Sequence, residues 1–592
     1  ANGQIAALES QTLHRQYRIN ALEQKLNQIL SSKAWRVAEI LRKVIFAFRR
    51  RPAARLDRPP TAIELLSRPE IEPKSQFDIT LQQKSFAPVI PKRPSDRQPL
   101  ISIVMPVHNT PRPWLRDAVD SVRSQSYLNW ELVIVNDGST LLETREYLDK
   151  LDEPRVSLVS LTSSSGISGA TNIGIEASRG DIVALMDHDD MLAKDALIQV
   201  MTAFGQQHAD LVYSDETVFN DDMDSLLFGY FGSPILKPDY SPDLLLSHNY
   251  VTHFLAVRKE LVEAVGGLRS EFDGAQDFDL ILRLTELTDH IVHIAEPLYH
   301  WRQSTQSTSL DTGVKPEAHL RGKKALTEAL DRRGIKGKVL MGSAPHFFRV
   351  RREIIGSPSV DIVIPFRDQP LMLQQCIDSL LTRTSYSNFR IIGVDNGSVE
   401  PLTLDLRRRY EENSRQVKFV DFDVPFNFAE IVNYGVDQST ADHVVLLNND
   451  IQIINFDWLE SLLEHSQRPE IGAVGGKLYY PDDTIQHAGI VVGIGDYAGH
   501  PHKHEQGGFS GYVNRLNVVQ NMSAVTGAML MCKTAVYREV GGFNAEHFKV
   551  ACNDVDFCLR LIEQGYRNVF TPFAQAYHHE SVSRGYEDTP EK

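Results

Sequence analysis

Apolar residues near the start of the chain recur with a heptad spacing. Six of the eight a and d positions between residues 5 and 30 are apolar: Ile5, Leu8, Ile19, Leu22, Leu26 and Ile29. This pattern predicts a short coiled coil, through which copies of the chain would form a homo-oligomer. The alternative is an ordinary amphipathic helix that packs on its own domain.

Residues 33–51 have a different pattern. Their apolar residues fall on one helical face: Val37, Leu41, Val44, Ile45 and Phe48. Basic residues flank that face: Lys33, Arg36, Arg42, Lys43, Arg49, Arg50 and Arg51. A basic amphipathic helix is typical of peripheral attachment to the inner-membrane surface, although a helix docked on an acidic protein body has the same pattern. Residues 52–99 hold nine prolines, which predicts an extended linker.

From residue 100 onward, short apolar runs rich in β-branched residues alternate with helical patterns. Such runs occur at 101–105, 132–135, 182–186, 360–364, 391–394 and 444–447. Runs of this kind are typical of strands that are buried on both sides. The pattern therefore predicts an α/β fold with Rossmann-like, mostly parallel sheets covered by helices on both faces.

Polar motifs follow these strands twice, in the same order. Four pairs of residues give the offset between the copies: Pro106 and Pro365 (259), Asp137 and Asn396 (259), Asp189 and Asp450 (261), and His300 and His578 (278). One insertion after the third pair accounts for the change in offset. A repeat of this length is a duplicated domain rather than a solenoid unit. We therefore predict domains at residues 100–340 and 358–592.

The net charge of -15 is unevenly distributed. Residues 1–60 hold 12 Lys and Arg against 4 Asp and Glu, a net of +8, which leaves -23 for the remainder. The acidic body argues against a nucleic-acid partner, whereas the basic start fits an anionic membrane surface. Four cysteines without a CxxC pair, and no apolar run of about 18 residues, favour a cytoplasmic protein without a membrane span. The chain lacks an initiator Met, so we expect it to be part of a longer protein.

The sharpest candidate site follows the strand predicted at 182–186. Asp187, Asp189 and Asp190 lie within four residues and would repel one another unless a cation bridged them. Mg²⁺ or Mn²⁺ prefers such oxygen ligands and leaves positions open for substrate phosphates, whereas an acidic helix N-cap is the alternative. The second copy has one carboxylate among the three equivalent residues, which predicts a weaker or differently built site: Asn448, Asn449 and Asp450.

Two further carboxylates, Asp277 and Asp554, each precede a predicted helix. Each is either a helix N-cap or a general base that faces the cleft at the strand ends. His300 and His578 follow short apolar segments and could complete the two metal shells. A zinc site in the histidine-rich segment 500–504 is less favoured than a mobile loop near the acceptor, because zinc sites usually need four ligands.

Together these motifs resemble family 2 glycosyltransferases with the GT-A fold, over residues 100–340 and 358–592. The resemblance implies that Asp277 and Asp554 are the catalytic bases. It implies metal ligands in both copies: Asp187, Asp189, Asp190, His300, Asp450 and His578. It also implies a set of nucleotide-sugar contacts: Pro106, His108, Asn109, Asn136, Asp137, Asp187, Pro365, Arg367, Asp395, Asn396 and Asn449.

Other stretches narrow the resemblance to bacterial enzymes. Residues 237–247 resemble tandem glycosyltransferases of surface-polysaccharide and O-antigen loci, and residues 578–585 resemble rhamnosyltransferases. This implies inverting, metal-dependent transfer of hexoses from UDP-, dTDP- or GDP-linked donors to a lipid-linked or oligosaccharide acceptor. Three alternatives stay open: one active copy beside a non-catalytic acceptor-binding copy, a nucleotidyltransferase, and a sugar-binding scaffold. A NAD-linked enzyme is disfavoured, because no GxGxxG motif follows a strand.

Overall fold

The computed structural model describes residues 99–219, 234–303, 316–494 and 497–579. All of these residues belong to one compact unit, Phe86–Lys592. The coiled coil, the basic helix and nearly all of the linker predicted from the sequence lie outside the described residues. Across the described part of the chain, no helix combines the length and the apolar character needed to span a membrane.

The first copy is built on one mixed sheet. Its strands are β1 (Ile101–Val107), β2 (Trp130–Asn136), β3 (Val156–Ser160), β4 (Ile182–Leu185), β5 (Met191–Leu192), β6 (Leu211–Phe219), β7 (Pro234–Ile235), β8 (Leu255–Arg258) and β9 (Ile291–Arg302). They lie in the order β3-β2-β1-β4-β8-β6-β9-β5, with β7 beside β6. The first four strands of this order are parallel, and β8 runs antiparallel between β4 and β6.

Helices cover both faces of this sheet. They are α1 (Arg112–Arg123), α2 (Leu142–Asp149), α3 (Gly166–Ala177), α4 (Ala196–Gln206), α5 (Pro242–Leu245), α6 (Lys259–Ala264), α7 (Gln276–Leu284) and α8 (Pro316–Arg332). In α1 the buried residues are spaced by three or four, so one apolar stripe faces the sheet: Leu115, Ala118, Val119 and Val122. A hairpin of β10 (Gly337–Met341) and β11 (Phe348–Arg352) leads to the second copy.

The second copy repeats this architecture. Its strands are β12 (Val360–Phe366), β13 (Phe389–Asp395), β14 (Val417–Asp421), β15 (His443–Leu447), β16 (Ile451–Ile453), β17 (Ile471–Tyr479), β18 (Ile485–His487), β19 (Val491–Val492), β20 (Ala498–Gly499), β21 (Gln520–Met522), β22 (Met529–Lys533) and β23 (Arg567–His578). Its helices are α9 (Pro370–Thr382), α10 (Pro401–Asn413), α11 (Phe428–Asp437), α12 (Trp458–Ser466), α13 (Thr534–Glu539) and α14 (Asn553–Glu563).

The order of the second sheet is β14-β13-β12-β15-β22-β17-β23-β16, which is the order of the first sheet strand for strand. Short strands β18, β19 and β20 belong to the insertion that the sequence offsets predicted. Each sheet lies between two apolar cores, one on each face. The predicted α/β class, with parallel-rich sheets covered on both faces, is confirmed for the described residues.

A buried polar contact joins the two copies. Asp243 in α5 is 3% exposed, and its carboxylate lies 2.6 Å from Arg468 and accepts a hydrogen bond of 2.9 Å from Asn521. Burial alone would raise the pKa of Asp243, but the charges of Arg468 and Arg352 hold it well below its usual value. The segment 237–247, which carried part of the sequence resemblance, is therefore the segment that docks the first copy on the second.

Candidate active sites

The acidic motif of the first copy lies at the carboxyl end of β4, as the sequence predicted. Asp190 is 1% exposed and is held on both oxygens, because the Tyr299 hydroxyl donates to Oδ2 at 2.6 Å and the Arg302 N–H donates to Oδ1 at 2.7 Å. The same Tyr299 oxygen accepts the N–H of Asp187 at 3.1 Å. Strand β9 therefore fixes the shape of this turn.

A histidine from outside the motif completes the cluster. His253 Nε2 lies 3.6 Å from Asp187 Oδ2, and His253 Nδ1 lies 3.3 Å from Glu216 Oε2. Its ring stacks on Tyr299 with the centroids 4.8 Å apart. Asp187, Asp190 and His253 each offer one ligand atom, and these atoms lie within 4.8 Å of one another. Two carboxylates and an imidazole fit a divalent cation such as Mn²⁺ or Mg²⁺.

The ionisable groups of this cluster shift one another's pKa values. Burial raises the pKa of Asp189 and Asp190, and the negative charge of Asp187 raises both further. Burial opposes ionisation of Asp187 too, but the hydrogen bond from His253 brings its pKa below the usual value. Burial would likewise lower the pKa of His253, but Asp187 and Glu216 raise it well above its usual value. Acids that repel one another in this way are typical of a site that a cation stabilises.

His300, a ligand expected from the sequence, lies elsewhere. Its Nδ1 atom is 2.7 Å from Thr217 Oγ1. Side chains alternate between the faces of a strand, and in β9 it is the neighbouring Tyr299 that contacts Asp190. The structure therefore does not bring His300 into the three-ligand cluster. Asp189 is also outside that cluster.

His253 was not among the residues predicted from the sequence, although one signal of its position was available. Leu255 at the start of β8 pairs with Leu185 at the end of β4 in an antiparallel register. A residue just before Leu255 therefore lies beside residues just after Leu185, which include Asp187. A histidine directly before an apolar strand is the only local sign of this arrangement, and it becomes informative only once the two strands are known to be neighbours.

The second copy brings its predicted acid and histidine together. His578 Nε2 lies 3.1 Å from Asp450 Oδ1 and 3.2 Å from Asn448 Nδ2, and His578 Nδ1 lies 2.7 Å from Gln486 Nε2. Burial would raise the pKa of Asp450, but the charge and hydrogen bond of His578 lower it. This site holds fewer carboxylates than the first one, as Asn448 implied.

The imidazole comes from the segment before β8 in the first copy and from the end of β23 in the second. Leu530 pairs with Leu446 in the second copy as Leu255 pairs with Leu185 in the first. The residue two positions before Leu530 is Ala528, so the second copy has no histidine where the first has His253. It uses His578 at the end of its last strand instead.

Asp277 lies in the first turn of α7, next to the acidic cluster. Its Oδ1 atom accepts the N–H of Phe278 at 2.8 Å, and its Oδ2 atom accepts a hydrogen bond of 2.8 Å from Asn249. Burial raises the pKa of Asp277, and the charge of Asp187 adds to this effect while His253 opposes it. A carboxylate with a raised pKa, held on both oxygens, is suited to accept a proton.

Asp554 has the equivalent position in α14. Its Oδ1 atom accepts the N–H of Val555 at 2.9 Å, and its Oδ2 atom accepts the N–H of Gly527 at 2.9 Å. Both carboxylates are thus anchored by their own helix and by the segment that precedes the antiparallel strand, β8 or β22. The structure places the two candidate bases in matching settings.

At equivalent positions after β2 and β13, the side chain of the first copy accepts hydrogen bonds and that of the second copy donates them. In the first copy, the Asp137 carboxylate accepts bonds from the Ser164 hydroxyl, from the N–H and hydroxyl of Ser165 and from the N–H of Gly166, at 2.6–3.1 Å. Burial would raise the pKa of Asp137, but these hydrogen bonds lower it. The carboxylate thereby anchors the start of α3.

In the second copy, Asn396 takes the place of Asp137 and donates instead. Its Nδ2 atom donates to the carbonyl oxygens of Phe422 and Val424, each at 2.9 Å. The preceding Asp395 forms an ion pair with Arg407. The exchange of Asp for Asn therefore comes with a differently folded loop after the next strand.

The other predicted nucleotide contacts shape the same strand ends. Asn109 Oδ1 accepts the N–H groups of Thr140 and Leu141, and Asn136 Oδ1 accepts the N–H of Ser139, so both amides hold turns together. The remaining residues lie in the strands or in the turns that follow them: Pro106, His108, Pro365, Arg367 and Asn449.

A cavity of about 520 Å³ lies between α8 and the β10–β11 hairpin. It is lined by α8 and by the turn of the β10–β11 hairpin, including His319 and Ser343. The His319 ring stacks on Phe348 at 5.1 Å, and Phe348 stacks at 6.3 Å on Phe278, the residue after Asp277. These ring contacts link one wall of the cavity to the start of α7, the helix of Asp277.

The histidine-rich segment 500–504 shows no zinc site. His500 Nδ1 lies 2.8 Å from His487 Nδ1, and the described residues form no group of three ligands there. His487 Nε2 accepts backbone N–H groups from Gly489 and Thr526, so these contacts hold the inserted segment on the second copy.

Two similar proteins are known from their sequences. The chain is 42% identical over 501 residues to an uncharacterized protein, y4gI, of Sinorhizobium fredii, an alignment that covers 83% of this chain and 54% of that protein. It is 40% identical over 504 residues to the O-antigen biosynthesis protein RfbC of Myxococcus xanthus, which covers 84% of this chain and 38% of that protein. The chain thus spans about half or less of the length of these relatives.

Among solved structures, the chain is similar to the mannosyltransferase PcManGT of Pyrobaculum calidifontis in complex with GDP-Man and Mn²⁺. The identity is 16% and the TM-score is 0.30, over 46% of this chain and 68% of that one. The profile of glycosyl transferase family 2 matches residues 102–266 and 361–539, one match in each copy. Because these matches cover more than half of the 592 residues, the chain belongs to glycosyl transferase family 2.

Proposed function

We propose that the chain is a bifunctional glycosyltransferase that extends a bacterial surface polysaccharide such as an O-antigen. The observation that carries this proposal is the matched setting of Asp277 and Asp554. Each is anchored on both oxygens in the first turn of a helix, in a copy that also holds an acid–imidazole pair. The name of the 40% identical relative supports the role in O-antigen synthesis.

The reaction proposed for each copy is inverting sugar transfer. The acceptor hydroxyl oxygen bonds to C1 of the donor sugar from the face opposite the leaving group, and the bond from C1 to the nucleotide diphosphate breaks. Asp277 or Asp554 takes the hydroxyl proton. The transition state has oxocarbenium character, as in glycoside hydrolysis. Asn249 donates a hydrogen bond to Asp277, and the Gly527 N–H donates one to Asp554. These bonds keep each carboxylate oriented while it accepts the proton.

Asp187, Asp190 and His253 would hold the divalent cation of the first copy, and Asp450 with His578 that of the second. When bound, such a cation neutralises charge on a leaving diphosphate. The imidazole favours Mn²⁺ over Mg²⁺, since imidazole suits transition metals. The cavity between α8 and the β10–β11 hairpin would receive the acceptor of the first copy.

The proposed sugar donors rest on the turns after β2 and β13, and the proposed cellular location rests on the basic start of the chain. The opposite hydrogen-bond polarity of Asp137 and Asn396 favours different nucleotide sugars in the two copies, among UDP-, dTDP- and GDP-linked donors. The resemblance of the second copy to rhamnosyltransferases favours a rhamnosyl donor there. The acceptor would be lipid-linked or an oligosaccharide, and the basic start of the chain would hold the enzyme at the cytoplasmic face of the inner membrane.

In a second candidate function, the second copy catalyses no reaction. Its strand-end motif keeps one carboxylate, Asp450, and Ala528 replaces the imidazole of the first copy. The second copy would then bind the acceptor for the first. A pure sugar-binding scaffold is the remaining alternative.

A nucleotide-release screen tests these functions. Panels of UDP-, dTDP- and GDP-sugars would be incubated with the chain, with Asp277→Asn, with Asp554→Asn and with the double variant. Release from two different donors, each lost in one single variant, is the expected result. Release that only Asp277→Asn abolishes would favour the binding-copy alternative, and no release from any donor would favour the scaffold.

A further inference from the structure

One buried lysine of the second copy has no charged partner. Lys477 in β17 is 3% exposed, and among the described residues no carboxylate or hydrogen-bond acceptor contacts its ammonium group. The nearest recorded contact is the Tyr479 ring, whose centroid lies 5.3 Å from Nζ. Burial lowers the pKa of Lys477 to about 8, so the group still carries its charge at neutral pH. Its Nζ atom is not among the fully buried atoms that lack a hydrogen-bond partner, so the stem is buried while the ammonium group stays accessible to a ligand.

The first copy has an acid at the equivalent position. In the second copy Val474 pairs with Met531 of β22, and in the first copy Val212 pairs with Ala256 of β8. Lys477 and Asp215 each lie three residues further along the strand. Asp215 is fully partnered, because its Oδ1 atom lies 2.9 Å from His293 and accepts the N–H of Lys237 at 2.7 Å. The two copies therefore present opposite charges at one position of the fold, and only the cation is without a partner.

Lys477 lies on the side of the sheet that carries the candidate base. Gly475, two residues earlier in β17, packs so closely on Val525 that a Cβ atom would lie 2.5 Å from the Val525 side chain. Two residues after Val525, the N–H of Gly527 donates to Asp554. Lys477 and Tyr479 are two residues apart in a stretch of β17 that pairs regularly with β23, so their side chains share a face. Tyr479 packs against the core that holds Val525 and Phe557 of α14. Lys477 therefore lies on the face of the sheet that is covered by α14, the helix of Asp554.

The inserted segment covers this face with further polar rings. Burial lowers the pKa of His502; the charge of Glu505 opposes this shift, and the positive charge of Lys477 adds to it. His504 stacks on Tyr480 at 4.9 Å, which holds the segment in place.

We propose that Lys477 is an anion subsite that selects an acceptor bearing a carboxylate or phosphate for the second copy. The inference rests on the proposed function, because it takes the second copy to use a saccharide acceptor. The ammonium group would bind the anionic group of the acceptor, while Asp554 faces the hydroxyl that reacts. The first copy, with Asp215 in this place, would take a neutral acceptor unit.

Binding of a matched ligand pair to the full chain tests this. Methyl β-glucuronide and methyl β-glucoside differ only in the carboxylate, and inorganic phosphate serves as the third probe. Isothermal titration should show the glucuronide or phosphate binding at least about tenfold more tightly than the glucoside, since hydrogen bonds to charged groups have that strength. Which of the two anions binds identifies the source of the charge.

Variants separate the subsite from a general charge effect. Lys477→Met should abolish the preference and Lys477→Arg should retain part of it, whereas Lys418→Met, at an exposed lysine of β14, should leave it unchanged. Equal binding of all three probes, or a preference that survives Lys477→Met, would overturn the proposal. Nucleotide release without acceptor should persist in Lys477→Met. If the unaltered chain itself releases no nucleotide, the result counts against the proposed function and not against the subsite.

Discussion

His253 Nε2 lies 3.6 Å from Asp187 Oδ2, although 66 residues separate the two in the chain. This contact, and not one with His300, completes the ligand cluster of the first copy. The second copy reaches a similar pairing by another route, with His578 beside Asp450. Both copies thus have an acid–imidazole pair, with the imidazole supplied by a different segment in each.

Replacing His253 should weaken metal use more than replacing His300. His253→Ala removes a ligand atom of the cluster, so we expect the Mn²⁺ concentration for half-maximal nucleotide release to rise by about 10–100-fold, the range typical of lost metal-site residues. The measurement is a Mn²⁺ titration in an Asp554→Asn background, which silences the second copy. His300→Ala is the matched control and should shift the titration little, because His300 contacts Thr217. A larger effect of His300→Ala would restore the sequence-based assignment.

Each candidate base should govern one linkage. Asp277→Asn and Asp554→Asn keep the shape of the side chain but remove its ability to accept a proton, so each should slow one transfer by about 10²–10⁴-fold. The two linkages would be followed by mass spectrometry of products on an oligosaccharide primer. If Asp554→Asn leaves every product unchanged, the second copy is a binding module.

The contact between the copies should depend on Asp243. Asp243→Ala removes the buried carboxylate from Arg468 and leaves it only Glu470 as a counter-charge, and removing one partner of a buried ion pair costs up to about 3–5 kcal/mol of unfolding free energy. Urea unfolding monitored by fluorescence would show this as a lower midpoint. Asp405→Ala breaks an exposed pair with Arg408 and should change the midpoint by little. Similar midpoints for the two variants would mean that the interface does not rely on this contact.

Buried His465 should make the protein sensitive to acid. Burial lowers its pKa to about 3 from a usual value of 6.5. The unfolded chain therefore takes up a proton below about pH 6.5 while the folded chain does not, so the unfolding free energy falls as the pH drops from 6.5 towards 3. At pH 5 this loss amounts to about 2 kcal/mol.

The test compares urea unfolding at pH 7 and pH 5. His465→Leu should flatten the decline between the two values, because the titrating group is gone. His547→Leu, at an exposed histidine, should leave the decline unchanged. An identical decline in all three proteins would show that other groups cause the acid sensitivity.

The basic start of the chain should recruit the enzyme to anionic membranes. Each basic residue near an anionic surface contributes about 1 kcal/mol, so the seven around the apolar face of residues 33–51 should suffice for reversible binding. Sedimentation with anionic and neutral vesicles would compare the full chain with one that starts at Pro99. Equal binding by both proteins would favour a helix docked on the acidic body.

Local sequence alone determined the architecture and much of each site. Strands, helices and turns follow from patterns within a few residues, and the duplication could be measured from residue offsets alone. The placement of Asp187, Asp277, Asp450 and Asp554 needed no further information, because a motif at the end of a strand or the start of a helix is positioned by that element.

The tertiary structure decided which distant side chains meet. His253 is near Asp187 because β8 pairs antiparallel with β4, whereas His300 contacts Thr217 and its neighbour Tyr299 contacts Asp190. A shift of one residue in a strand moves a side chain to the other face, so no spacing in the sequence could distinguish these histidines. The isolation of Lys477 was equally hidden, since a missing partner is a property of everything that packs around a residue.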